Sequence, residues 1–309
     1  MSEQRSAALV FGSVQLGLAY GIANRTGKPS REAALRLVRR ACEAGVAQFD
    51  TARAYGDSEE RLGEALLDAT GIRAITKLSP MSELPPGATR LQARAAVDAS
   101  IAHSLKALRR ERLDCVLLHR AAHLNAFGGA IWERLIERLE DGTVAALGVS
   151  VQSPEEARAA LAEAHVAHIQ LPFNLLDWRW RASGIVACLR ARQEIAVHAR
   201  SVFLQGLLAA DDASLWPRIE GVDAKATVAL LAELCCELGR ESPADLCLAY
   251  AHGQDWIDGV VVGVESQNQL DENLRLFARP PLSRADCEML EERLPRLPEA
   301  LLDPAQWPR

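Results

Sequence analysis

The sequence predicts an α/β fold, a (β/α)8 TIM barrel in a single domain over residues 1–309, with a C-terminal helix and tail at about 282–309. Three observations point there. Eight short apolar runs alternate along the chain with segments of helical spacing. The runs are apolar at consecutive positions, as in strands buried on both faces of a parallel sheet. No G-x-G-x-x-G turn follows the first run, where the competing doubly wound fold would carry one.

The elements follow in order. Leu9 to Phe11 is the first strand, opening into Gly12-Ser13-Val14-Gln15-Leu16-Gly17 and a polar loop. Ser30 caps a helix in which Ala34, Leu37, Val38 and Ala41 keep helical spacing, and Gly45 closes it. Val46 to Phe49 is the second strand, ending at Asp50, and a helix from Ser58 to about Gly71 turns Leu62, Ala65 and Leu66 inward. Ile72 to Thr76 is the third, ending at Lys77; a Pro/Gly-rich loop and a helix from about Leu91 to Leu108 follow. Leu113 to Leu118 is the fourth, ending at His119 and followed by a helix over Ala130 to Leu139. Val144 to Val149 is the fifth, ending at Ser150. Ser153-Pro154-Glu155-Glu156 then starts a helix, with a serine cap, a proline in the first turn and acids at the positive end. Ala167 to Leu171 is the sixth, with Gln170 inside it and Phe173 just beyond; a helix over about Ser183 to Arg192 follows. Ile195 to Ala199 is the seventh, ending at Arg200-Ser201, before an irregular excursion and helices over about Ala224 to Leu238 and Ser242 to Ala251. Val260 to Gly263 is the eighth, followed by a helix over Gln267 to Phe277, a last helix over Arg284 to Arg293 and a proline-rich tail.

Composition narrows the function classes. Hydrophobic residues make up 49% and charged residues 25%, an ordinary globular balance. A formal charge of −6 argues against general nucleic-acid binding. No apolar run reaches the roughly 18 residues of a membrane span, and the N-terminus lacks a signal-peptide core. The seven cysteines contain no C-x-x-C pair, and most sit in apolar patterns, which reads as buried thiols in a reducing, cytoplasmic compartment.

Strand ends carry the chemistry. Asp50, Lys77 and His119 end the second, third and fourth strands, and Tyr55 stands in the loop after Asp50. In a barrel these ends share one rim, where active sites form. A free tyrosine ionises near pH 10, too high for easy proton exchange at neutrality. A nearby ammonium favours the phenolate, the aspartate fixes the lysine, and the histidine can orient a carbonyl. Such a set suits a reaction that places a proton on a developing alkoxide. No metal set is read: His119 and His123 are four apart without an H-E-x-x-H motif. No nucleophile elbow supports a serine hydrolase.

With these residues in hand, the chain resembles the aldo-keto reductase family from roughly Leu9 to Phe277. FDTARAYGDSEERLGEAL is similar to the family signature, and Asp50, Tyr55, Lys77 and His119 fall on its catalytic tetrad in order. The resemblance implies carbonyl reduction with NADPH or NADH on a small-molecule substrate, with Tyr55 as proton donor. It also implies cofactor positions. Ser150 and Gln170 match the carboxamide ligands, and Phe173 matches the aromatic stacked under the nicotinamide. Ser13 and Val14 lie where the first loop approaches the cofactor. Ser201 to Gly206, with Val202, Phe203 and Gln205, resembles the pyrophosphate loop, with Arg200 just before it. Gly263, Ser266, Gln269, Glu272 and Asn273 match the adenosine-phosphate segment.

Some positions depart from that pattern. Val151 stands where the family usually has asparagine, and Arg200-Ser201-Val202-Phe203 replaces Tyr-Ser-Pro-Leu. At the adenosine end, Gly263 and Gln269 replace basic residues and Glu265 lies nearby, which favours NADH or dual use. Arg200 and Arg275 remain available as cations for a 2′-phosphate. The LGLAYGIAN-type first loop is similar to a bacterial branch that includes a regulator. The second reading is therefore an NAD(H)-binding regulatory protein with little turnover, which would have a protein partner.

Overall fold

The computed structural model describes residues 7–308. Eight parallel strands close a barrel in sequence order. They are β1 (Ala8–Gly12), β2 (Gln48–Asp50), β3 (Arg73–Lys77), β4 (Cys115–Leu118), β5 (Leu147–Ser150), β6 (Val166–Pro172), β7 (Ala196–Arg200) and β8 (Gly259–Gly263). Helices α1 (Val14–Gly17) and α2 (Arg31–Glu43) follow β1, α3 (Ser58–Ala65) follows β2, and α4 (Arg90–Leu108) follows β3. Next come α5 (Ala130–Glu140) after β4, α6 (Pro154–Leu161) after β5, and α7 (Arg179–Ala182) with α8 (Ile185–Ala191) after β6. Helices α9 (Ala224–Glu237) and α10 (Pro243–His252) precede β8. Three more, α11 (Gln267–Phe277), α12 (Arg284–Arg293) and α13 (Glu299–Leu302), complete the chain.

Local chemistry sets the helix starts. The hydroxyls of Ser30, Ser153, Ser242 and Ser266 accept first-turn amides, and Thr89–Gln92 and Ser283–Asp286 form full capping boxes. Ala34, Leu37, Val38 and Ala41 are buried on one face of α2, as their spacing requires. The main hydrophobic core lies between the strands' outer faces and the helices. A separate small cluster, Ile75, Cys115 and Leu117, fills part of the barrel interior.

Several boundaries differ from the sequence reading. The fourth and fifth strands begin later than expected, because Leu113 and Val144 make only a single bridge to each other. The helix expected over about 183–192 is α8, and a separate short helix, α7, precedes it across Gly184, which takes a left-handed conformation. The helix after β2 ends at Ala65 rather than near Gly71. The proline-rich tail is ordered by α13, which buries Leu301 and Leu302. All seven cysteines are free; Cys115, Cys235, Cys247 and Cys287 are buried, whereas Cys188 and Cys236 are exposed. Among the described residues no helix is long and apolar enough to cross a membrane.

Candidate active site

Side chains alternate across a strand, so residues two apart share a face. Asp50, Lys77 and Gln170 all turn into the barrel at its C-terminal end, and their side chains meet there. Lys77 Nζ donates to both Asp50 carboxylate oxygens at 2.7 Å and to the Thr51 carbonyl at 3.1 Å. Gln170 Nε2 donates to Asp50 Oδ1 at 2.7 Å. Burial opposes the lysine's charge, but the charge and hydrogen bonds of Asp50 together with Tyr55 outweigh it, and the Lys77 pKa ends above its ordinary value. The ammonium is therefore charged, compensated and almost fully enclosed.

Tyr55 stands above this pair, half-buried, with Lys77 Nζ 5.1 Å from its ring centroid. His119, one residue beyond β4, meets the Tyr55 ring edge-on at 89°, with centroids 6.0 Å apart. Burial, reinforced by the charges of Lys77, Arg200 and Arg120, pushes the His119 pKa down to about 3. The imidazole is neutral, and its Nδ1 is buried without a hydrogen-bond partner. The structure thus brings Asp50, Tyr55, Lys77 and His119 together at one rim.

The loop that carries Tyr55 is fixed by close backbone approach. A Cβ at Gly17 would lie 1.7 Å from the Tyr55 carbonyl oxygen, and one at Gly56 would lie 2.5 Å from the Gly17 carbonyl oxygen. Only glycine lets α1 and this loop touch, and Gly56 also has a φ of +57°. Glu59 lies in the signature stretch without having been assigned a role. It is fully buried, pairs with Arg53 at 2.6 Å, and accepts from Thr76 at 2.6 Å and Ser104 at 2.8 Å. This carboxylate ties the Tyr55 loop to β3 and α4. Its only sequence signal was a carboxylate at a position that faces the barrel.

The expected cofactor positions divide. Ser150 and Gln170 are register partners at the barrel mouth, both buried, and Gln170 Oε1 has no partner. Val14, which opens α1, and Gly263, which ends β8, are half-buried. Ser201, Leu204 and Gln205 have positive φ, and the loop from Ser201 to Gly206 encloses Val202 while leaving Phe203 half-buried. Ser266 caps α11, Gln269 Nε2 donates to Glu265 Oε1 at 3.1 Å, Glu272 is exposed and Asn273 buried.

Two expectations need correction. Phe173 does not face the mouth: it is fully buried, stacked on Tyr250 of α10 at 5.4 Å and edge-on to Trp256 at 5.1 Å. Gln170 faces inward, so a residue three further along faces outward. Ser13 is also fully enclosed. Its hydroxyl donates to the Asp50 carbonyl at 2.7 Å and accepts from Ser58 at 2.7 Å, so it braces Asp50 rather than reaching a ligand.

The sequence profile of the Aldo/keto reductase family matches residues 8–294. The chain belongs to that family. Among solved structures, it is similar to the holo form of aldo-keto reductase AKR11C1 from Bacillus halodurans, with a TM-score of 0.74, 20% identity and 96% of each chain covered. It is also similar to PA4992, a putative aldo-keto reductase from Pseudomonas aeruginosa, with a TM-score of 0.64, 20% identity, and 88% and 90% of the two chains covered. No curated protein matches in sequence. Family and fold together make this chain an oxidoreductase of the aldo-keto reductase type.

Proposed function

We propose that this aldo-keto reductase reduces an aldehyde or ketone to an alcohol at the expense of NADH or NADPH, with Tyr55 as general acid. One observation carries the reading: a buried, charge-compensated Lys77–Asp50 pair beneath Tyr55, with a neutral imidazole edge-on to the same ring. The ammonium stabilises the phenolate left when Tyr55 gives up its proton, and Asp50 holds the ammonium in place. His119, neutral at physiological pH, can donate a hydrogen bond to a carbonyl oxygen without competing as an acid.

The unpartnered Gln170 Oε1 and the neighbouring Ser150 hydroxyl supply an acceptor and a donor suited to a nicotinamide carboxamide. When bound, the dinucleotide supplies the hydride. The 201–206 loop and the N-terminus of α11 would hold its phosphates. At α11 the Glu265 side chain is bonded to Gln269, and the Arg275 guanidinium is turned to Glu241. A 2′-phosphate would meet a carboxylate there, which supports NADH or dual use over strict NADPH dependence.

The test follows NADH and NADPH oxidation with a panel of aldehydes. Tyr55→Phe should lower turnover by about 10²–10⁴-fold while dinucleotide affinity is retained. If the wild type binds dinucleotide but oxidises it with no carbonyl, the regulatory reading takes over. NADPH binding about tenfold tighter than NADH, roughly 1.4 kcal/mol in a fluorescence titration, would overturn the cofactor preference.

A further inference from the structure

Tyr55 rides on a loop whose first residues are still tied to the neighbouring strand. The Thr51 amide donates to the Ile75 carbonyl at 2.8 Å, and the Arg53 amide to the Lys77 carbonyl at 3.1 Å. These bonds carry the β2–β3 pairing past the end of β2. At Tyr55 the backbone turns on itself: its amide donates to the Ala52 carbonyl at 3.0 Å, and its carbonyl accepts from the Ser58 amide at 3.1 Å. Bonds so local fix the shape of a turn. They do not fix where the turn stands relative to Lys77.

A second ion pair supplies that placement. The Arg53 guanidinium donates to Glu59 Oε2 at 2.6 Å, and Glu59, in the first turn of α3, is fully enclosed. Its other oxygen, Oε1, accepts from the Thr76 hydroxyl at 2.6 Å and the Ser104 hydroxyl at 2.8 Å. Thr76 and Lys77 are consecutive on β3 and so face opposite sides of the sheet. Asp50 grips the inner of the two and Glu59 the outer. The pair thus closes the chain segment 53–59, with Tyr55 inside it, and docks that segment on the strand that carries Lys77. A carboxylate accepts all three bonds and balances the guanidinium. A glutamine could accept from the hydroxyls but would leave Arg53 without its counter-charge.

We infer that Arg53 and Glu59 are positioning residues for the general acid: their ion pair holds the turn that carries Tyr55 over Lys77, so that the phenol is placed for proton transfer. The inference rests on the carbonyl-reducing reading above. Glu59 has no exposed surface, so it acts through the loop rather than on a ligand. A small displacement is enough to matter, since a shift of about 1 Å in a reacting group can cost on the order of 10²-fold in rate.

Two variants test this: Arg53→Met/Glu59→Leu, which removes both charges together, and Glu59→Gln, which keeps acceptors for the two hydroxyls. Apolar replacement of a buried ion pair often leaves stability unchanged. In urea unfolding the double variant should therefore stay close to wild type, while Glu59→Gln is weakened by its unbalanced guanidinium. Turnover should fall in both, by about 10–100-fold in kcat, with KM and NADH affinity unchanged. The solvent deuterium isotope effect on kcat should rise as proton delivery from Tyr55 becomes limiting. A smaller folded fraction lowers kcat without changing that effect. Glu59→Gln gives the same readouts if the double variant does not fold. Wild-type kcat in a folded variant overturns the inference and leaves carbonyl reduction standing. So does a kcat loss that merely follows stability with the isotope effect unchanged. If the wild type turns over no carbonyl, the proposed function fails separately, and amide hydrogen exchange decides the inference. The Arg53 and Tyr55 amides should then exchange about tenfold or more faster in the variants, the scale of one hydrogen bond to a charged group. Unchanged exchange at both amides overturns it.

Discussion

Two buried polar pairs share the barrel interior, Asp50–Lys77 at the ends of β2 and β3, and His168–His198 one layer lower on β6 and β7. The first is an ion pair with Nζ–O distances of 2.7 Å. In the second the imidazoles meet edge-on, with centroids 4.2 Å apart. Burial opposes charge in both. In the upper pair a carboxylate overrides it, and Lys77 stays protonated. In the lower pair no carboxylate among the described residues bonds either imidazole, and Arg73 and Lys77 add repulsion. Burial drives the His198 pKa down to about 3 and that of His168 well below its ordinary value. Cys115, whose Sγ lies 3.8 Å from His168 Nδ1, is likewise held as a neutral thiol, its pKa pushed up to about 12 by burial. Both pairs are buried, and the partner decides which stays charged. The charged layer can therefore serve proton transfer, while the neutral layer acts as packing beneath it.

The sharpest way to break this contrast is Lys77→Met. It strands a buried carboxylate and should cost about 3–5 kcal/mol in urea unfolding. Adding Asp50→Asn should recover most of that stability but none of the turnover. Next, Gln170→Leu removes one hydrogen bond to the Asp50 carboxylate and should cost about 1.5–3 kcal/mol by the same measurement. The neutral imidazoles, His119 at the rim and His198 below it, make the opposite prediction, in pH rather than in contacts. His119 and His198 take up protons near pH 6.5 when unfolded but only near pH 3 when folded. The unfolded state then binds more protons across that window. Stability should fall as pH drops from about 6.5 towards 3, by up to roughly 1.4 kcal/mol per pH unit for each histidine. The smallest effect is expected for His198→Leu, a near-isosteric apolar swap at a residue whose Nδ1 has no partner. It should change stability by under about 1.5 kcal/mol near neutral pH and flatten the acid limb. A loss as large as that of Lys77→Met would show that the lower pair is not mere packing.

Much of the site was legible because strand-end residues need no knowledge of pairing. Asp50, Lys77 and His119 each follow an apolar run, and Tyr55 lies in the short loop after the first of these. Phe173 was misread although the signal was present: its odd offset from Gln170 sends it to the outer face, against Tyr250. The buried roles of Glu59, Ser13 and Ser58 had no comparable local sign. Apart from Arg53 and Thr51 nearby, their partners lie 17 to 45 residues away, on other strands and helices. The β4 and β5 starts were misplaced for the same reason, since apolar residues extend beyond the point where strand pairing begins.

By itself the sequence determined the order of strands and helices, the helix caps and the chemistry at the strand ends. These depend on side-chain periodicity and on hydrogen bonds within a few residues. Only the closed barrel decided which ionisable groups share an interior layer. It was closure that set Asp50 beside Lys77 and His168 against His198. Charge state in a protein interior depends on distances between residues far apart in the chain, and those distances exist only once the barrel has closed.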